Sequence, residues 1–219
     1  MTGTIATLGN ADALALAGSG AQSGEYTVRF GAEGPDADVV WLDLAAERPV
    51  DGSRVIAQDG PGLWRRSPWP ASDDLFDLHQ PARATVLVVG EGPVADEVVG
   101  YLDDAARAPR LTRPALEGAG IVLFAQEEGA PLPAPAFAVL AARRVLVVRE
   151  PPVRFGLEPG VNHLAAETVA GTTELATSAV LHWDAFAALR AFGRVSAEPY
   201  RASTVYSRLA FDLAGETDG

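Results

Sequence analysis

One stretch constrains this chain more than any other. Residues 85–89 read Thr-Val-Leu-Val-Val, a β-branched run with no polar interruption after its first residue, and the run stops at Gly90. A strand that is apolar at every position has water on neither face, so it belongs inside a parallel sheet covered on both sides. Gly90-Glu91-Gly92-Pro93 follows, and Pro93 is acceptable at the first position of a helix whose apolar stripe is Val94, Val98 and Leu102. Strand, glycine turn and helix make a βα unit, and the remaining apolar segments repeat the pattern. Residues 121–124 and 145–148 read as further buried strands, with a short apolar helix over 134–142 between them. Asp184 reads as the cap of a helix that stops at Gly193, and Ser203 as the cap of a last helix with Val205, Leu209 and Leu213 on its inner face. The expected fold class is α/β: a Rossmann-like parallel sheet with helices on both faces.

The first part of the chain is built from shorter pieces. Strands are expected over 4–8, 26–30 and 39–44, with a further apolar piece at 55–57, and a helix capped by Asn10 that runs through Leu14 and Leu16. Gly/Asp/Pro turns separate them, which suits a small open α/β layer. Residues 60–70 hold Gly60-Pro61-Gly62, Pro68 and Pro70 with Trp64 and Trp69, a composition that neither a regular helix nor a central strand accepts. The expected organisation is therefore a reduced α/β subdomain over 1–62, a Pro/Trp-rich linker over 63–83 and a larger α/β domain over 84–219. The linker's Trp64-Arg65-Arg66-Ser67-Pro68-Trp69 reads as a strap that packs its tryptophans between the two.

Composition closes several chemistries. The chain has no cysteine, and all 17 of its basic residues are arginine, so disulfides, thiolate catalysis, Schiff-base lysines and P-loop lysines are excluded. A formal charge of −12 opposes binding to nucleic acid or anionic lipid. No apolar run reaches the length of a membrane span, and the N-terminus carries no positive charge ahead of its apolar stretch, so a cytoplasmic protein is expected. His79, His163 and His182 are far apart without an HExxH pattern, and no Gly-x-Ser-x-Gly elbow occurs. Asp36-Ala37-Asp38 has a metal-diphosphate spacing but precedes a strand, so it reads as a solvated turn and no metal is expected.

The turn after the first long strand, Gly90-x-Gly92-x-x-Ala95, fits the relaxed dinucleotide fingerprint, in which glycines let a pyrophosphate approach a helix N-terminus. About twenty residues on, where a ribose-binding acid would end the second strand, stands Pro109-Arg110-Leu111-Thr112. An NAD-type Rossmann protein is therefore the weaker alternative.

Residues 120–213 resemble the second domain of GT-B glycosyltransferases of the group 1 and spore-coat type. Gly120-Ile121-Val122-Leu123-Phe124 resembles the strand before the donor loop. Residues 137–148, Phe-Ala-Val-Leu-Ala-Ala-Arg-Arg-Val-Leu-Val-Val, are similar to the family's FEALAxGxxLL helix and strand. Residues 155–164 resemble the following segment, and residues 198–206, Glu-Pro-Tyr-Arg-Ala-Ser-Thr-Val-Tyr, the terminal crossover helix. The resemblance implies a nucleotide-activated sugar bound at the carboxyl ends of the strands, without a metal or other cofactor. Gly90, Gly92, Arg149 and Arg154 would meet the diphosphate, and Glu127 and Glu128 the sugar hydroxyls. Two departures stand out. The family's ribose-binding glutamate falls on Ala138, whose methyl group accepts no hydrogen bond, and its small residue falls on Arg143. No catalytic residue is named by the sequence. The fold's usual chemistry thus stands beside a second reading, a non-catalytic GT-B-fold protein that binds or scaffolds a partner transferase or a second copy of itself.

Overall fold

The computed structural model describes residues 3–8, 11–18, 26–30, 39–43, 54–57 and 69–215, with side chains at 12, 15–18 and 69–208. The N-terminal part contains β1 (Gly3–Leu8), α1 (Ala11–Ala17), β2 (Tyr26–Phe30), β3 (Val39–Asp43) and β4 (Arg54–Ala57). These strands form one four-stranded sheet, ordered β2-β1-β3-β4, in which each neighbouring pair is parallel. The expected strands are present within a residue or so. Asn10, Asp36, Asp38 and the strap residues 64–68 lie outside the described residues.

The second part carries β5 (Val86–Val89), α2 (Pro93–Tyr101), β6 (Ala106–Ala108), α3 (Arg113–Gly118), β7 (Ile121–Phe124), α4 (Ala136–Ala141), β8 (Val145–Arg149), β9 (Leu164–Ala166), α5 (Val169–Leu181), α6 (Ala187–Ala197) and α7 (Ala202–Gly215). Its five strands are ordered β6-β5-β7-β8-β9, all parallel. Strand side chains alternate between faces, so each buried strand feeds two cores at once. Leu87, Val89, Val122, Phe124, Leu146 and Val148 join one core with Leu116 and the whole of α4. Val86, Val88, Ile121, Leu123, Val145 and Val147 join the other with Val98 of α2 and Ala176 and Ala179 of α5. That double burial is why the strands read as unbroken apolar runs. The fold class is α/β, a Rossmann-like parallel sheet with helices on both faces.

Three helix boundaries differ from the sequence reading. Gly193 does not end a helix; it lies within α6 and is buried. A Cβ there would come within 2.8 Å of the Asn162 carbonyl oxygen and 3.0 Å of Leu140 Cδ2, so glycine serves the close approach of α6 to its neighbours. Asp184 falls in a 3₁₀ turn, Trp183–Phe186, that precedes α6. Ser203 does not cap α7, which already begins at Ala202; its hydroxyl donates instead to Asp73 Oδ1 at 2.9 Å. On that helix Ala202 and Tyr206 are buried, Val205 is half-buried, and the side chains of Leu209 and Leu213 lie outside the described residues.

The helix α7 returns to the beginning of the chain. Its Ala202 amide donates to the Ala71 carbonyl at 2.8 Å, and the Ser72 amide donates to the Leu16 carbonyl at 2.8 Å. The Tyr206 hydroxyl donates to the Ala17 carbonyl at 3.5 Å. These contacts hold α1 beside the second sheet, where its Asp12 takes part in the site described next.

Candidate functional site

Numbered from β5, the second sheet has strand order 2-1-3-4-5, so the chain reverses direction across the sheet between β5 and β7. At such a reversal the two following loops leave in opposite directions and open a crevice beyond the strand ends. A cavity of about 340 Å³ lies there. Val89 and Gly90 at the end of β5, Phe124, Ala125 and Gln126 at the end of β7, and Pro109, Arg110 and Leu111 after β6 line it. Trp69, Pro133 and Pro135 form an apolar wall, and Asp12 of α1 completes it.

Local chemistry explains each part of this shape. Gly90 has φ +144°, and a Cβ on it would lie 3.1 Å from both the Cβ and the carbonyl oxygen of Ala125, so a glycine is needed where β5 leaves the sheet beside β7. Its amide donates to the Ala108 carbonyl at 2.9 Å, which ties the exit of β5 to that of β6. The Trp69 amide donates to the Ala134 carbonyl at 3.0 Å, fixing the end of the strap against the proline-rich loop. Gln126 Nε2 donates to the Pro131 carbonyl at 2.7 Å, so its Oε1 is the acceptor left over; that atom is buried and has no partner. Arg110 Nε lies 2.7 Å from Asp12 Oδ2, an ion pair that spans the cavity's edge from α1 to the loop after β6.

The residues named from sequence are dispersed around this cleft. Gly90 lines it. Gly92 is the N-cap of α2, with φ +79° and nothing within 4 Å of a Cβ placed on it, so the start of that helix is open. Glu127 and Glu128 follow Gln126 and are exposed. Arg149 ends β8 and donates twice to the Glu167 carbonyl, at 3.0 and 2.6 Å, while Glu128 lies 3.6 Å from it. Arg154 donates to Glu150 at 2.6 Å. The structure thus brings Glu128 and Arg149 together and engages both arginines with protein groups. Arg107 of β6 reaches toward the glycine turn, 3.4 Å from the Gly90 carbonyl, and pairs with Asp96 of α2. Asp12, Arg110 and Gln126 are the polar residues that sequence reasoning missed. The signal for Arg110 was present, since it occupies the place where a dinucleotide fold puts an acid.

The positions that depart from the GT-B pattern are structural. Ala138 lies inside α4, only 1% exposed and surrounded by the first core, with no room or polar partner for a carboxylate. Arg143 has φ +56°. The Arg144 amide bonds back to Val139 and the Arg143 amide to Leu140, the paired bonds of a helix ending with a left-handed residue. Among the described residues no group of three or more histidine or acidic side chains is placed to hold a metal ion. A second cavity, about 470 Å³, lies between α2 and α5, lined by Tyr101, Thr173, Glu174, Thr177 and Leu181 among others; it is a groove on the helical surface, away from the strand ends.

The fold and cleft define a class: an α/β protein of the doubly wound kind, with its candidate site at the switch point of the sheet. No protein-family model matches the chain, and no curated protein matches it. Three solved chains do. One, described as the crystal structure of TarM, is similar over 80% of this chain and 54% of that chain, at 9% identity and a TM-score of 0.45. The present chain therefore spans about half of that structure's length, and a likeness this distant says nothing of activity. Among the described residues no helix is long and apolar enough to cross a membrane.

Proposed function

We propose that this protein is glycosyltransferase-like and binds a nucleotide-activated sugar in the cleft beyond β5 and β7. The observation that carries the reading is the coincidence of that cleft with the switch point, next to the open glycine turn at the start of α2. Trp69, Phe124 and the prolines offer flat apolar surface to a base. The turn at Gly90 and Gly92 would take the diphosphate, and Arg149 and Arg154 would add positive charge to it on leaving their present partners. Glu127 and Glu128 are exposed at the cleft's side of the sheet, where sugar hydroxyls would meet them.

A second reading, a non-catalytic protein of the same fold that partners another transferase or itself, is favoured by one specific observation. Ala138 is sealed in the core, so no carboxylate stands where the resembled family holds the donor ribose. Exposed Phe192 and Val195 on α6, at 55% and 63%, give such a protein apolar contact surface. The NAD-type alternative has less behind it, because β6 closes on Ala108 and continues into Pro109 and Arg110.

A thermal-shift screen against UDP, GDP, dTDP, their sugar conjugates, NAD and NADP tests these readings, since a ligand that binds only the folded state raises the melting temperature. The expected result is a shift with one nucleoside diphosphate, diminished in the Arg149→Ala or Arg154→Ala protein. A shift with NAD alone would refute both sugar readings. Silence across the panel would leave the non-catalytic partner.

A further inference from the structure

Among the described residues that line the cleft Arg110 is the one cation, and it is already paired with an acid of the same protein. Arg110 sits in the loop after β6, while Asp12 belongs to α1, whose sheet is the other one. Both side chains stay in contact with water, the arginine at 64% exposure and the aspartate at 28%. An ion pair this wet holds its partners weakly, because solvent screens the attraction and the long arginine side chain loses freedom to make it. A phosphate, by contrast, offers the guanidinium two parallel charge-assisted hydrogen bonds and carries more charge than a carboxylate.

From this we infer that Arg110 is the anion-recognising residue of the cleft and that Asp12 is its internal competitor, displaced when the phosphate of a ligand binds. The inference rests on the proposed nucleotide-sugar reading and gives it a residue that the resemblance did not supply. Arg107, Arg149 and Arg154 are not among the residues that line the cavity, and Arg149 is in addition held by two bonds to a backbone carbonyl, so they would meet the ligand only by leaving their present positions. Asp12 also explains how a cleft in a protein of charge −12 can be selective. A weak monoanion does not outcompete the carboxylate already there, whereas a diphosphate does.

The test is isothermal titration of the full chain with UDP, GDP, dTDP and inorganic pyrophosphate, using the wild-type, Asp12→Asn, Arg110→Ala and doubly substituted proteins. Arg110→Ala is expected to weaken binding about tenfold, the loss of a charge-assisted pair. Asp12→Asn is expected to tighten it by up to about fivefold, the ceiling an exposed ion pair allows. In the Arg110→Ala background the Asp12→Asn change is expected to do nothing, because the competition has no object. All four proteins should melt within a few degrees of each other, since both side chains are at the surface. Nucleotide binding that is indifferent to Arg110→Ala, or that Asp12→Asn weakens, overturns the inference and leaves the nucleotide reading standing. Binding of pyrophosphate with the expected pattern, but of no nucleotide, upholds the inference and removes the nucleotide reading. Binding of none of the four removes both.

Discussion

Two adjacent arginines at the end of α4 show how differently one residue type is used. Arg143 occupies a left-handed backbone position, φ +56°, at which any side chain is disfavoured and glycine is not. Arg143→Gly is therefore expected to raise stability by about 1 kcal/mol, read as a higher urea midpoint at unchanged slope. Arg144 is 3% exposed, and its guanidinium donates to the carbonyls of Leu116, Glu117, Ala142 and His79 at 2.6 to 3.2 Å. It closes the carbonyl ends of α3 and α4 inside the protein, although burial itself pulls its pKa down from the usual arginine value. In sequence Arg143 reads as a departure from the resembled family's small residue, and nothing sets Arg144 apart from it. His163 is fully buried, its Nδ1 3.0 Å from Asn162 Oδ1 and its Nε2 without a partner. Asn162 Oδ1 already accepts from the Glu158 amide, so Nδ1 carries the proton and the ring is neutral. Burial lowers its pKa to about 4; Glu150 and a Glu158 backbone hydrogen bond oppose this, and Arg154 adds to it. Between pH 6.5 and that value the unfolded chain takes up a proton that the folded chain refuses, so this stability is complete above pH 6.5 and is lost as pH falls. By pH 5 the loss should be about 2 kcal/mol. Urea unfolding at pH 7 and pH 5 checks it, and the difference should shrink in His163→Gln; an equal difference in both proteins would rule it out.

The elements most visible in the sequence are those with one strong signal. β5, β7 and β8 are apolar runs rich in valine and isoleucine because both their faces are covered, and α2 is announced by its glycine turn and proline. α5 was not legible, and its buried residues explain why: Thr172, Thr173, Ala176 and Ala179 form no leucine stripe. Its threonine hydroxyls are satisfied by the helix's own carbonyl of Val169, at 2.7 and 2.9 Å, so polar residues can line a packed face. β6 and β9, of three residues each, are too short to show a period. Gly193 reads as a stop by composition and turns out to be a contact, a distinction that depends on Asn162 and Leu140 from elsewhere in the chain. Gly193→Ala, helpful to an isolated helix, is expected here to cost about 2 kcal/mol, because the new methyl must displace a backbone carbonyl. Chemical denaturation of the variant checks this, and a gain in stability would show that α6 can back away.

For the whole molecule, acids outnumber bases by 29 to 17, and the ion pairs that the arginines make are mostly wet. Self-repulsion then outweighs pair attraction, and screening relieves it. Raising salt from a few millimolar to about 0.15 M, where the Debye length is about 8 Å, should raise the melting temperature by a few degrees; a fall would mean the ion pairs dominate. At this scale the division between chain and fold is clear. The α/β class, the alternation of strand and helix, the glycine turn and the chemistries that an arginine-only, cysteine-free chain forgoes follow from local pattern, because hydrophobic period and backbone permissiveness act over a few residues. The cleft does not. It needs the reversal of strand order between β5 and β7, the strap end at Trp69 pinned to Ala134, and α7 drawing α1 back so that Asp12 meets Arg110 across 98 positions of sequence. A group's partners at that separation are set by packing, and packing has no signature in any short window of the chain.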